Sequence, residues 1–203
     1  MRLPKTAHTS RPWRVHEFTK DFEIEDVWKV PTPGGPGDLG RLVEWFVTDN
    51  ELSVMNRTLF AIRWKLGALL DWDKADSGIG ARVPSLRERL PVDLRGAARG
   101  PDLRRVPFTS IYQTDTEWAA EMSNKTAQAV MHIGWVSDGT GGYHAQMAVL
   151  VKPNGRLGKA YLSGIKPIRR ALVYPSLMRT IGRWWAKAGP ASPHSADELH
   201  LTP

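Results

Sequence analysis

Apolar and polar positions alternate most clearly between Trp118 and Val151. Trp118, Ala120 and Met122 interleave with Glu117, Ala119 and Glu121, the period of two that marks a half-buried strand. Strands over 127–136 and 143–151 follow, and the Ser-Asp-Gly-Thr-Gly-Gly stretch between them predicts a hairpin. Odd positions Met131, Ile133, Trp135, Tyr143, Ala145, Met147, Val149 and Val151 make one face apolar, whereas the even positions include Gln128, His132, His144 and Gln146. An apolar sheet face needs a cover. The odd face is therefore expected to meet a helix, or to wall a cavity beneath one; His132 and His144 share the even face and could approach as a pair, but they and the Glu117 and Glu121 carboxylates are expected to point to solvent.

Elsewhere the period changes to that of helices. Leu52, Met55, Leu59, Ile62, Leu66 and Leu69 recur at steps of three and four, predicting a helix of about five turns with Arg57, Arg63 and Lys65 off its apolar stripe. Residues 157–187 repeat Leu157, Tyr161, Ile165, Ile168, Leu172, Leu177, Met178, Ile181 and Trp185 at near-helical spacing. Pro167 and Pro175 divide that run into two or three helical segments. Earlier stretches give weaker patterns. Residues 13–18 alternate as a first strand, and 23–28 place acids ahead of Val27 and Trp28 as a short helix does. Residues 1–12 read as a flexible leader, 13–187 as one domain and 188–203 as a disordered tail.

Gly35, Gly37 and Gly40 have the spacing of a dinucleotide-binding loop, but Pro-Thr-Pro precedes them where a strand is required and Pro36 removes an amide. A turn into a helix capped by Asp38, with Leu39, Leu42, Val43 and Phe46 inward, is the better reading. Residues 71–107 form a long connection carrying four prolines, in which Ser85 and Glu88 make a capping box. The connection is either a lid or a disordered insertion.

Charge sharpens the tail. The net formal charge is +7, yet residues 1–151 hold nineteen basic and nineteen acidic side chains, while 152–187 hold nine basic and no acidic ones. The excess is local, which argues against a nucleic-acid face. It leaves a basic amphipathic segment whose Lys159, Lys166, Arg169, Arg170, Arg179 and Arg183 would suit peripheral contact with an anionic membrane. No cysteine and no spaced metal-ligand motif occurs, and no apolar run reaches the length of a membrane span. No metal or cofactor is expected, and a cytoplasmic setting is.

Three stretches carry a family resemblance: Leu59-Phe-Ala-Ile-Arg-Trp-Lys-Leu-Gly67, Met131-His-Ile-Gly-Trp-Val136, and Leu150-Val-Lys-Pro-Asn-Gly-Arg-Leu-Gly158 with Tyr174-Pro175. They resemble a bacterial family of unknown function that also occurs fused behind short-chain-dehydrogenase-like domains. That family is similar to the START/SRPBCC helix-grip superfamily. The resemblance implies an α+β fold in which a curved antiparallel sheet packs against a C-terminal helical segment, with extra helices inserted after the first strand. The motifs bring no assigned catalytic residues; with the parity of the strands and the tail pattern, the expectation is an apolar or aromatic small molecule held between the odd face and the tail, against Trp118, Met131, Ile133, Trp135, Tyr143, Met147, Tyr161 and Ile165. A cavity enzyme of cyclase, hydratase or isomerase type is the alternative, with Tyr112, Glu121, His132 or Tyr143 moving protons. Oligomeric state is left open.

Overall fold

The computed structural model describes residues 1–48, 83–103, 107–124 and 126–189. The helix expected over residues 52–69, the start of the long connection and the tail beyond residue 189 lie outside them. Six strands form one antiparallel sheet: β1 (Arg2–Leu3), β2 (Glu23–Lys29), β3 (Thr109–Gln113), β4 (Glu117–Ser123), β5 (Ala127–Ser137) and β6 (Tyr143–Pro153). Their order is β1-β2-β6-β5-β4-β3, and the predicted hairpin of β5 and β6 lies at the centre.

Two early predictions are corrected by this sheet. Residues 13–18 are not a strand, because Val15–Phe18 form a short helix, α2, after α1 (Thr6–Thr9). Residues 23–28 are not a helix, because they belong to β2, which pairs along β6. Pairing along β6 prevails over the local helix preference of the acids in β2, and it lets the strand bury both faces: Val27 on one side and Trp28 on the other. The leader is corrected too. Residues 1–12 contain β1, which pairs with β2, and α1, whose His8 is fully buried.

Both faces of the sheet are covered. On the odd face, Trp28, Trp118, Ile133, Trp135 and Met147 pack against α3 (Leu39–Thr48) and the last helix, α6 (Tyr174–Ala188). Leu39, Leu42, Val43 and Phe46 point inward as their spacing predicts. Asp38 precedes α3, but its carboxylate accepts a hydrogen bond from the Gly35 amide, so it closes the preceding turn. On the even face, Val130, Val136, Ala148 and Leu150 meet Trp13, Val15 and Phe18, together with Leu86, Leu90 and Leu94 from a 3₁₀ turn (Leu86–Arg89) and from α4 (Val92–Arg95).

The tail divides near its prolines. α5 (Gly155–Ile168) contains Pro167, the five residues Arg169–Val173 widen into a π-helical turn, and Pro175 sits in the first turn of α6. The turn is anchored to β2, since Lys166 and Arg169 reach Glu25 at 3.2 and 3.1 Å, and Arg170 reaches the buried Asp26 at 2.7 Å. α5 leaves the sheet by a close approach. A Cβ on Gly158 would land on the carbonyl oxygen of Thr126. Gly158→Ala is expected to lower stability by about 1–3 kcal/mol through overpacking against rigid backbone, seen as a lower urea midpoint.

Candidate functional site

The even face carries a buried polar chain. Tyr112, on β3, donates its hydroxyl to Glu117 Oε2 at 2.7 Å, and His132 Nε2, on β5, lies 3.1 Å from the same oxygen. His132 Nδ1 is in turn 3.0 Å from His8 Nε2. The Arg14 backbone amide completes the set, 3.0 Å from each carboxylate oxygen of Glu117. All four side chains are buried.

These partners determine the charge states. Burial works to raise the Glu117 pKa, but hydrogen bonds from His132, the Arg14 amide and Tyr112 outweigh it and hold the group below its ordinary value. Burial lowers His132 despite the neighbouring carboxylate, and burial with His132 and His16 nearby lowers His8 to about 2. Tyr112 is raised by burial and by Glu117. Near neutral pH the chain is thus one carboxylate, two neutral imidazoles and a phenol. An ionised Glu117 only accepts, so His132 donates through Nε2, accepts at Nδ1, and takes its bond from the His8 Nε2–H.

The second buried acid does parallel work. Glu121 accepts from the Leu86 amide at 3.1 and 3.2 Å and from the Ser85 hydroxyl at 2.6 Å, at the start of the 3₁₀ turn. The Ser85 oxygen accepts from the Arg87 amide, as a cap should, while the partner of the opening amides is Glu121. Glu117 holds the amide that opens α2, and Glu121 holds the one that opens the 3₁₀ turn. Each carboxylate seats a covering element on the sheet by the free N–H groups of its first turn.

The structure corrects the expectation that these side chains face solvent. Glu117 and Glu121 are 4% and 0% exposed, and His132 is 0% exposed. His132 and His144 do not pair: His132 stands opposite Ala148, four positions along β6 from His144. Of the proton-transfer candidates, Tyr112 and His132 meet on one carboxylate. Glu121 serves a separate element. Tyr143 lies half-buried at the hairpin end, its backbone paired with Gly34. Among the described residues no group of three metal-binding side chains occurs.

His8 and the Arg14 amide were not found by sequence reasoning. His8 sits in a proline- and threonine-rich stretch without periodicity. A signal existed on the sheet, because the even positions Val130, Val136, Ala148 and Leu150 are as apolar as the odd ones. Such a face has to be covered, and polar residues among those positions need partners on the cover.

The expected ligand wall splits in two. Trp118, Ile133, Trp135 and Met147 are core, none more than 2% exposed. Met131, Tyr143, Tyr161 and Ile165 are half-buried. The basic residues split as well: Lys166, Arg169 and Arg170 hold β2, while Lys159, Arg179 and Arg183 are exposed. Among the described residues no helix is long and apolar enough to cross a membrane.

Fold and site together define an α+β protein with a six-stranded antiparallel sheet, covered by helices on one face and by carboxylate-anchored short elements on the other. The chain belongs to the family described as protein of unknown function (DUF2867), whose model matches residues 18–176. No curated protein matches the chain, and no solved structure does.

Proposed function

We propose that this protein binds an apolar or aromatic small molecule between the odd face of the sheet and α5, in a helix-grip-like arrangement, and needs no cofactor to do so. One observation carries this reading: burial drops abruptly along the odd face. Ile133 and Met147 stand opposite each other and are fully buried, whereas the next odd pair, Met131 and Val149, is only partly buried. α5 spans this end of the sheet. It starts against Thr126, beside β5, and the turn after it is tied to Glu25 and Asp26, beside Val149. Tyr161 and Ile165, half-buried on α5, are assigned to the opposite wall. Methionine and aromatic side chains suit an adaptable lining.

The enzyme alternative draws less support. Tyr112, Glu117 and His132 lie on the opposite face, so the sheet separates them from anything held beside Met131. A second reading, peripheral contact with an anionic membrane in a cytoplasmic setting, is favoured by Leu157 and Leu172, 74% and 66% exposed on the basic tail.

Native mass spectrometry of gently purified protein, followed by tryptophan quenching with medium-chain fatty acids and naphthalene-type aromatics, tests the binding reading. Saturable binding is expected, and Met131→Lys is expected to weaken it at least ~10-fold by placing a charge in an apolar contact. Equal binding by Met131→Lys removes the proposed location. Sedimentation with phosphatidylserine vesicles, lost on Arg179→Glu with Arg183→Glu, would support the membrane reading instead.

A further inference from the structure

Arg41 is in the first turn of α3, among residues that point into the odd-face core, and its side chain is half-buried. Its guanidinium carbon lies 4.0 Å from the ring centroid of Trp185 and 5.7 Å from that of Trp184, both on α6. One turn further along α3, Trp45 packs against Trp184 with centroids 5.4 Å apart and planes at 32°. This aromatic wall is held in place. The Trp185 indole donates to the Pro33 carbonyl at 2.7 Å, and its ring sits 5.9 Å from that of Trp135.

Arg41 is nonetheless unmatched. Its Nε and Nη2 are buried and have no hydrogen-bond partner among the described residues. A guanidinium stays charged at every physiological pH, so stacking on indoles leaves the edge donors unsatisfied, a costly state for buried polar groups. Nε–H and Nη2–H point the same way and form the side-on fork that matches the two oxygens of a carboxylate. No acidic residue occurs anywhere on the facing tail from 152 to 187 to occupy that fork.

We infer that Arg41, with Trp45 and Trp184, is an anion-recognition site for a small aromatic carboxylate, gripped by the Arg41 fork with its ring against the indoles. Arg41 and Trp184 are both partly exposed, and the acid reaches the buried fork from that side. The site is distinct from the one proposed beside Met131. It lies between α3 and the end of α6, and recognises its ligand by a carboxylate rather than by apolar surface alone.

Benzoate, cyclohexanecarboxylate and inorganic phosphate are the probes, titrated into the full chain with tryptophan emission and near-ultraviolet circular dichroism as readouts. Saturable benzoate binding is expected, at least ten-fold tighter than phosphate and several-fold tighter than cyclohexanecarboxylate. Arg41→Lys keeps the charge, loses the fork, and is expected to weaken benzoate at least ten-fold. The site is overturned by no saturable benzoate binding, by phosphate binding as tightly as benzoate, or by Arg41→Lys binding like the parent. If Arg41→Lys does not fold, Trp184→Leu decides in its place. That variant removes the indole stacked with Trp45, so unchanged benzoate affinity in it overturns the site.

Discussion

Replacing Glu117 by leucine is expected to lower the unfolding free energy by about 3–5 kcal/mol, the low end of three buried neutral donors left unsatisfied at roughly 1–3 kcal/mol each. The loss comes from what remains: the Tyr112 hydroxyl, the His132 Nε2–H and the Arg14 amide all keep their burial and lose their acceptor. Glu117→Gln keeps one carbonyl oxygen but turns an amide nitrogen toward donors, so an intermediate loss of roughly 1–3 kcal/mol is expected. Urea denaturation of the three proteins measures this. A leucine variant within 1 kcal/mol of the parent would mean that the carboxylate does not seat the amino-terminal layer. Hydrogen exchange adds the location, since faster exchange should appear first in α2.

Acidification is expected to act on the same layer. His8 and His132 are held neutral in the fold, His8 from an ordinary 6.5 down to about 2. Below pH 6.5 the unfolded chain therefore binds protons that the folded chain refuses. For His8 the stability is complete above that value and falls as pH drops toward about 2, by up to ~1.4 kcal/mol per pH unit, and His132 acts in the same direction. Glu117 acts in the same direction at lower pH. Its folded value lies below the ordinary 4.5, so its contribution is present above 4.5 and is lost as pH falls through the folded value. Trp13 is the reporter, with its ring centroid 5.4 Å from that of His132. His8→Gln keeps a donor for His132 Nδ1 and removes one titrating group, so its stability should depend less steeply on pH between 6.5 and 4.5. An unchanged slope would assign the titration elsewhere.

The odd face was legible because strand parity is local. Met131, Ile133, Trp135 and Met147 fall at odd positions of two paired strands, and parity alone tells which side chains share a surface. α3 was legible for the same kind of reason, from the spacing of Leu39, Leu42, Val43 and Phe46. The candidate site was half legible. Tyr112 and His132 were singled out as proton-transfer groups, but the carboxylate joining them was read as exposed. Glu117 looks like any polar residue on an alternating strand until a second layer is known to cover it.

Local pattern determined the central hairpin, the inward face of α3, the breaks near Pro167 and Pro175, and the concentration of positive charge after residue 151. Only tertiary structure decided that the even face is interior, that residues 1–18 are part of the fold, and that residues 23–29 are a strand. The reason is range. Parity and helical spacing are written within a few neighbouring residues, whereas His8 meets His132 across 124 positions and Arg14 meets Glu117 across 103. Arg41 reaches Trp185 by a comparable span, and no periodicity along either helix announces that a cation and an indole will stack.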